Sequence, residues 1–311
     1  MKEKTSLYLL TGFLGAGKTT FLTNVLKDLE GEKVGVIMNE FGKVGIDGTI
    51  VHKEGMDLLE INRGSIFCSC LKISFVQAMI ELADRELKYL FVESSGLADP
   101  SNIGDVMNAV RELKGDVYEY QGAICLVDAV HFLEQIEDLE TVERQLKHCH
   151  LAVISKVDLV DEETLDKIKA KIREINGKVE IQTSVYGKLN YDFLKEDLMR
   201  NQWTESEDTT NTHENKPKTI SLEFDGDVSK EELTKFIGAV SGDAFRIKGF
   251  FKLEDGWNQV DVVNRRIDYK LSETPETISQ LVFISKIGPA IIKKVFTAWN
   301  EVIGQEMKLK N

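Results

Sequence analysis

The chain has 311 residues, 42% of them hydrophobic and 29% charged, which supplies enough apolar material for a sizeable core and, by length, for about two domains. Its 52 acidic against 39 basic side chains leave a formal net charge of −13. No basic patch offsets a field that repels phosphate backbones and anionic lipid, so neither nucleic acid nor membrane is an expected partner. Four cysteines are too few for a disulfide framework, and the apolar run near the N-terminus breaks at Gly12 with no cleavage site or long apolar span behind it. Reduced thiols and a cytoplasmic location are expected.

From the start to residue 199, short β-rich runs alternate with amphipathic stretches. "SLYLLTG", "KVGVIMNE", "KYLFVESS", "GAICLVDA", "LAVISKVD" and "VEIQTS" are the runs. The alternation predicts βαβ units and a mostly parallel sheet covered on both faces. The first run opens into Gly12-x-x-x-x-Gly17-Lys18-Thr19, followed by Phe21, Leu22, Val25, Leu26 and Leu29 at helical spacing and by Gly31 as a stop. A Gly-rich turn between strand and helix with this spacing is a phosphate-binding loop. Gly12, Gly15, Ala16 and Gly17 let backbone N–H groups close on the phosphates, Lys18 reaches the β- and γ-oxygens, and the Thr19 hydroxyl, with Thr20 beside it, serves Mg²⁺.

Two later strand ends carry matching chemistry. "YLFVESSGLADP" puts Glu93 after four apolar or aromatic residues, where it can orient water or the Mg²⁺ shell, and Gly96 follows in position to sense a γ-phosphate. "LAVISKVDL" runs into Ser155-Lys156-Val157-Asp158. A carboxylate at Asp158 can accept two hydrogen bonds from a guanine edge while the Lys156 stem covers the ring. "TSVYGKLN", 183–190, closes a further strand and either lines the base with backbone groups or is a simple turn. His148-Cys149-His150 ends a helix; two histidines two apart diverge by about 200° on a helix, which favours capping or packing over metal binding.

Residues 200–218, "RNQWTESEDTTNTHENKPK", read as a polar linker. Beyond it, 219–311 reads as a small α+β domain. Its strands alternate in "KTISLEFDG" and "DAFRIKGFFKLEDGWNQVDVVN", with Asp255-Gly256 as a turn, and helical spacing covers 230–240 and 289–303.

Taken together, "TGFLGAGKTT", "NEFGKVGIDG" at 39–48, "ESSGLADP" at 93–100, "VDA" at 127–129, "SKVDL" at 155–159 and "FRIKGFF" at 245–251 resemble, in order and over nearly the whole chain, the CobW-like GTPases, relatives of the hydrogenase and urease maturation GTPases. The resemblance implies a Ras-like P-loop GTPase domain followed by a CobW-type C-terminal domain. It also implies GTP and Mg²⁺ as ligands, and a GTP cycle coupled to delivery of a metal, Zn²⁺ or Co²⁺, or of a corrinoid-type cofactor to a client protein.

The family's Cys-x-Cys-Cys metal motif corresponds here to "NRGSIFCSCLK". Aligned on Gly64, Ser65 and Phe67 replace two cysteines, Cys68 stays, and Cys70 is added. Cys68 and Cys70 with Glu40, a metal-contacting position in the family, supply three donors for a borderline ion; water or His52 would be a fourth. Lys43 stands where the family commonly has Glu, which weakens divalent binding, and Ser155 replaces the Asn of Asn-Lys-x-Asp, which weakens guanine preference. The alternative reading is a nucleotide-dependent docking switch that has lost its metal, and Ser155 also permits an ATP-using protein.

Overall fold

A computed structural model describes residues 4–40, 57–62, 72–96, 98, 100–204, 218–263, 265–272 and 276–310. The chain divides into two compact units, Met1–Glu214 and Asn215–Asn311.

The first unit is built on a seven-stranded sheet of β1 (Thr5–Gly12), β2 (Val34–Glu40), β3 (Asp57–Asn62), β4 (Tyr89–Glu93), β5 (Tyr118–Asp128), β6 (Leu151–Ser155) and β7 (Glu180–Ser184), in the order β3-β2-β4-β1-β5-β6-β7. Every pairing is parallel. The six runs picked out above are β1, β2 and β4–β7. β3 escapes the pattern because "DLLEIN" has only a short apolar stretch, and as an edge strand it pairs with β2 alone. β1 and β6 are buried along almost their whole length, as parallel strands covered on both faces must be. The chain builds outward from β1 to β2 and β3, returns through β4, then crosses to the other side with β5. The order reverses beside β1, and the carboxyl ends of β1, β4 and β5 meet there, which is where doubly wound sheets hold their ligands.

Two buried polar groups fix the β5–β6 side. Asn176 is fully buried after the helix Glu162–Ile175; its Nδ2 donates to the carbonyls of Leu146 and Cys149, both at 3.0 Å, and its Oδ1 accepts from the N–H groups of Lys178 and Val179. His150, 6% exposed, accepts the Ala123 N–H on Nδ1 at 2.9 Å, and its ring lies edge-on to Tyr120. His148 caps the helix Glu140–Lys147 and meets the Thr204 hydroxyl. The His148-Cys149-His150 run is thus a packing and capping element.

Residues 200–204, read above as the start of the linker, pack on this unit. A 3₁₀ turn covers Leu198–Asn201 with Leu198 fully buried, Asn201 donates to the His150 carbonyl, and the Trp203 ring lies 3.3 Å from the position of a Cβ on Gly177. One buried leucine at the head of a polar run is enough to anchor it. The rest of the linker, 205–217, lies outside the described residues.

The second unit is a six-stranded antiparallel sheet ordered β11-β10-β9-β12-β8-β13, from β8 (Thr219–Phe224), β9 (Ala244–Leu253), β10 (Gly256–Val263), β11 (Arg266–Leu271), β12 (Ser279–Ser285) and β13 (Lys308–Lys310). The helices Lys230–Val240 and Ala290–Val302 pack on it through a core centred on Trp299, Phe236, Phe224, Phe251 and Phe283. Ser229 and Glu232 form a capping box at the start of the first. Gly249 is required where β9 meets β12, since a Cβ there would stand 1.9 Å from the Gln280 carbonyl oxygen.

Burial lowers the His150 pKa to about 4, with His148 adding to the shift. The folded ring stays neutral between pH 6.5 and 4 while the unfolded chain takes up a proton near 6.5. The unfolded state then binds more protons, so this contribution is complete above pH 6.5 and is lost as pH falls towards 4. Between pH 7 and pH 4.5, wild-type stability in urea should fall by about 2 kcal/mol more than that of His150→Gln, which keeps an acceptor for the Ala123 N–H. Equal slopes would assign the acid lability to carboxylates instead.

Candidate functional site

The site is built where β1 ends. Leu10 is in register with Glu93 of β4 and Ile124 of β5, and Gly12 with Leu126. Gly12 (φ +129°) has no room for a side chain: a Cβ would stand 2.3 Å from the Leu126 carbonyl oxygen. Gly15 (φ +80°) and Gly17 (φ +94°) then turn the loop through left-handed conformations into the helix Lys18–Asp28. Gly17 is the N-cap and no side chain caps the helix, so its first-turn N–H groups face the loop's concave side.

Lys18 is only 7% exposed. Its ammonium donates to the carbonyls of Gly12 at 2.7 Å and Phe13 at 3.2 Å, which holds the charge across the loop. The Thr19 hydroxyl donates to Glu93 Oε1 at 3.1 Å, and Glu93 is 6% exposed at the end of β4. A hydroxyl and a carboxylate brought together beside a phosphate loop are hard oxygen donors, and this pair fits Mg²⁺. Thr20, one position on, is exposed.

After Glu93, Ser94 binds the Leu10 carbonyl twice, through its N–H at 2.9 Å and its hydroxyl at 3.0 Å. Gly96 follows so close to the loop that a Cβ would stand 2.5 Å from the Leu14 nitrogen. From behind, Gln145 Nε2 donates to the carbonyls of Gly96 at 3.3 Å and Ala98 at 2.9 Å. Gln145 is fully buried, on the same face of its helix as Val142 and Leu146. Sequence reasoning missed it, although a glutamine at a core position of an amphipathic helix is a legible signal.

At the far side, Asp128 is buried at the end of β5; Oδ1 accepts the Val130 N–H and Oδ2 the Lys156 ammonium at 2.7 Å. Lys156 (φ +58°) turns the chain into the 3₁₀ segment Val157–Leu159, which leaves Asp158 exposed. The Ser155 hydroxyl lies 2.8 Å from the Ala16 carbonyl and 3.1 Å from that of Val127. One proton serves the two, yet the tie between this strand end and the phosphate loop is kept. A cavity of about 410 Å³ lies here, lined by Val157, Thr183, Ser184, Val185, Tyr186 and Lys188. The segment after β7 walls this cavity beside Val157.

Of the candidates for the Zn²⁺ or Co²⁺ site, only the backbone of Glu40 is described. It ends β2 opposite Asn62 of β3, and Met38 of the same strand is in register with Glu93. Cys68 and Cys70, with Lys43, His52, Ser65 and Phe67, lie outside the described residues. Among the described residues no group of three or more His, Cys, Asp or Glu is placed to hold a metal ion, and no helix is long and apolar enough to cross a membrane.

Residues 6–183 match the CobW/HypB/UreG nucleotide-binding domain, and residues 218–299 match the cobalamin synthesis protein cobW C-terminal domain. The zinc chaperone YjiA of Escherichia coli is 31% identical over 192 residues, 60% of this chain and 59% of that protein; the zinc chaperone CobW of a Sinorhizobium species is 30% identical over 193 residues, 52% of this chain and 54% of that protein. The chain spans a little over half the length of these relatives. The crystal structure of Zn(II)-bound YjiA GTPase has 22% identity and a TM-score of 0.47, covering 96% of this chain and 99% of that one. With more than half its length matched by the nucleotide-binding domain and a further 218–299 by the C-terminal domain, the chain belongs to the CobW/HypB/UreG family.

Proposed function

We propose that this protein binds and hydrolyses GTP and uses the cycle to deliver a metal ion to a client metalloprotein. The observation that carries the hydrolytic part is the meeting of Thr19 and Glu93 at 3.1 Å beside the Lys18 ammonium. Backbone N–H groups of the loop from Gly12 to Thr20 bind the phosphate chain. Lys18 exchanges its loop carbonyls for the β- and γ-oxygens. Thr19, with Glu93 in support, would hold Mg²⁺, which would neutralise phosphate charge. Glu93 orients the water that attacks the γ-phosphorus as the bond to the β-bridging oxygen breaks, which releases GDP and phosphate. Gly96 is the point at which loss of the γ-phosphate is felt. Lys156 and Asp158 take the base.

Zinc is the favoured cargo, since the relatives are named zinc chaperones; cobalt or a corrinoid-type cofactor suits the same soft donors. Glu40, Cys68 and Cys70 are the proposed ligands. A docking switch without metal is the second reading, favoured by Ser65 and Phe67 at two cysteine positions. We place the protein in the cytoplasm, and the domain boundaries at 219–311 for the second domain and at 1–204 for the first, extended from 199 because residues 200–204 pack on it.

Lys18→Ala should cut GTP turnover by about a hundredfold or more while circular dichroism shows the fold retained. Unchanged turnover would remove the phosphate-loop assignment. Asp158→Ala should weaken GTP more than ATP, because only guanine offers N1–H and a 2-amino group to that carboxylate; equal losses would favour the ATP-using alternative. On addition of Co²⁺ to the reduced, Mg²⁺·GTP-loaded protein, thiolate charge-transfer absorption should appear and should weaken with falling pH, by about tenfold per unit for each proton released below the thiol pKa. It should be absent from Cys68→Ser/Cys70→Ser, whose GTP affinity stays that of wild type. No such band in wild type would make the docking switch the better account.

A further inference from the structure

We infer that the ring of Tyr186 is the surface on which the purine of the bound nucleotide stacks, and that Asn24 is the positioning residue that holds it there. The inference rests on the nucleotide-binding reading and deepens it at the base end.

Tyr186 is 76% exposed, an unusual setting for a large aromatic side chain. It sits on the wall of the 410 Å³ cavity, whose volume lies within the range of about 300–1,000 Å³ usual for small-ligand pockets. Its backbone is left-handed, φ +51°, a conformation that a bulky residue adopts only when its surroundings hold it.

Those surroundings belong to the phosphate site. Asn24, on the helix that leaves the phosphate loop, donates from Nδ2 to the Tyr186 carbonyl at 2.8 Å. Gly187 (φ +70°) presses against the same helix, its absent Cβ falling 2.9 Å from Phe21 Cα, and the Tyr191 hydroxyl binds the Gly187 carbonyl. A bridge between Val185 and Lys188 closes the turn. The chain thus spends a strained backbone and three tethers on displaying one aromatic ring.

The remaining lining completes the pocket beside Tyr186. Val157 lies between Lys156 and Asp158, and Thr183, Ser184 and Lys188 add polar groups around an otherwise apolar wall. An aromatic face in such a cavity takes a flat heterocycle whatever its edge groups, because every base has a π face. Tyr186 therefore contributes affinity shared by all purines, and Asp158 contributes the choice among them. Its place on the cavity wall favours this role over that of a protein-docking contact.

The test titrates the full-length chain, with Mg²⁺, against GTP, GDP, ATP and inorganic tripolyphosphate. Tyr186→Asn removes the ring while tolerating the left-handed backbone, and Tyr186→Phe keeps the ring. Tyr186→Asn should weaken GTP, GDP and ATP by about tenfold each, with the GTP-to-ATP ratio and the tripolyphosphate affinity unchanged. Tyr186→Phe should bind as wild type, and Asn24→Ala should lose about threefold on the nucleotides alone. Wild-type GTP affinity in Tyr186→Asn, or a parallel loss of tripolyphosphate, would overturn the inference while leaving the nucleotide reading intact. Wild-type protein that binds neither nucleotide nor tripolyphosphate would overturn both.

Discussion

The first unit depends on the pairing of β1 on both sides at its carboxyl end. Leu10 lies level with Glu93 on one side and Ile124 on the other, and Gly12 closes on Leu126 with no space for a methyl group. The phosphate loop therefore leaves the sheet at a point set by backbone hydrogen bonds. The distance from Thr19 to Glu93 follows from that register, and Ser94 reinforces it by binding the Leu10 carbonyl twice. A site that positions phosphate oxygens needs this rigidity, because small misplacements cost large factors in rate.

The nucleotide site was readable in advance to the extent that its chemistry is local. The loop from Gly12 to Thr20 is one contiguous motif whose spacing has few other uses, and Glu93 and Asp158 each end an apolar run, so the strand itself announces where the side chain emerges. The position of Gln145 on the apolar face of its helix signals burial but not its partners, and Asn176 signals neither. Each acts across the fold, on carbonyls of Gly96 and Ala98 or of Leu146 and Cys149, and nothing in the flanking residues specifies those partners. The sequence reading also passed over β3, β11 and β13, edge strands where burial imposes little pattern, and β12, a central strand whose continuous apolar run lacks the alternation that marked its neighbours. In the second unit strand alternation and helical spacing made the fold class plain while leaving the strand order open, since alternation fixes facing but not neighbours.

Ser155 shows how a substitution read as a loss is partly made good. An asparagine amide offers two N–H donors where a hydroxyl offers one, so the sequence suggests a weakened brace. Yet Ser155 sits between the Ala16 and Val127 carbonyls, at 2.8 and 3.1 Å, so its hydroxyl keeps strand β6 within hydrogen-bond reach of the phosphate loop. The buried Asp128 meanwhile takes the Lys156 ammonium and the Val130 N–H, which fixes the turn that presents Asp158. The base end is thereby tied to the phosphate end through β5 and β6.

On the opposite side of β1 the sheet register suggests how a nucleotide cycle can reach a metal. Glu93 lies level with Met38 on β2, and that strand ends at Glu40 opposite Asn62 of β3. The segments that follow these two strands contain Lys43 and Asp47 on one side and Cys68 and Cys70 on the other. β2 and β3 are neighbours in the sheet, and β2 also pairs with β4, the strand that ends at Glu93. Parallel strands cannot shift register by one residue without turning their side chains to the opposite face, so a response confined to the strand ends and the segments beyond them is the only inexpensive one. In the proposed cycle, hydrolysis is therefore felt first at the ends of the strands, while the sheet itself stays fixed.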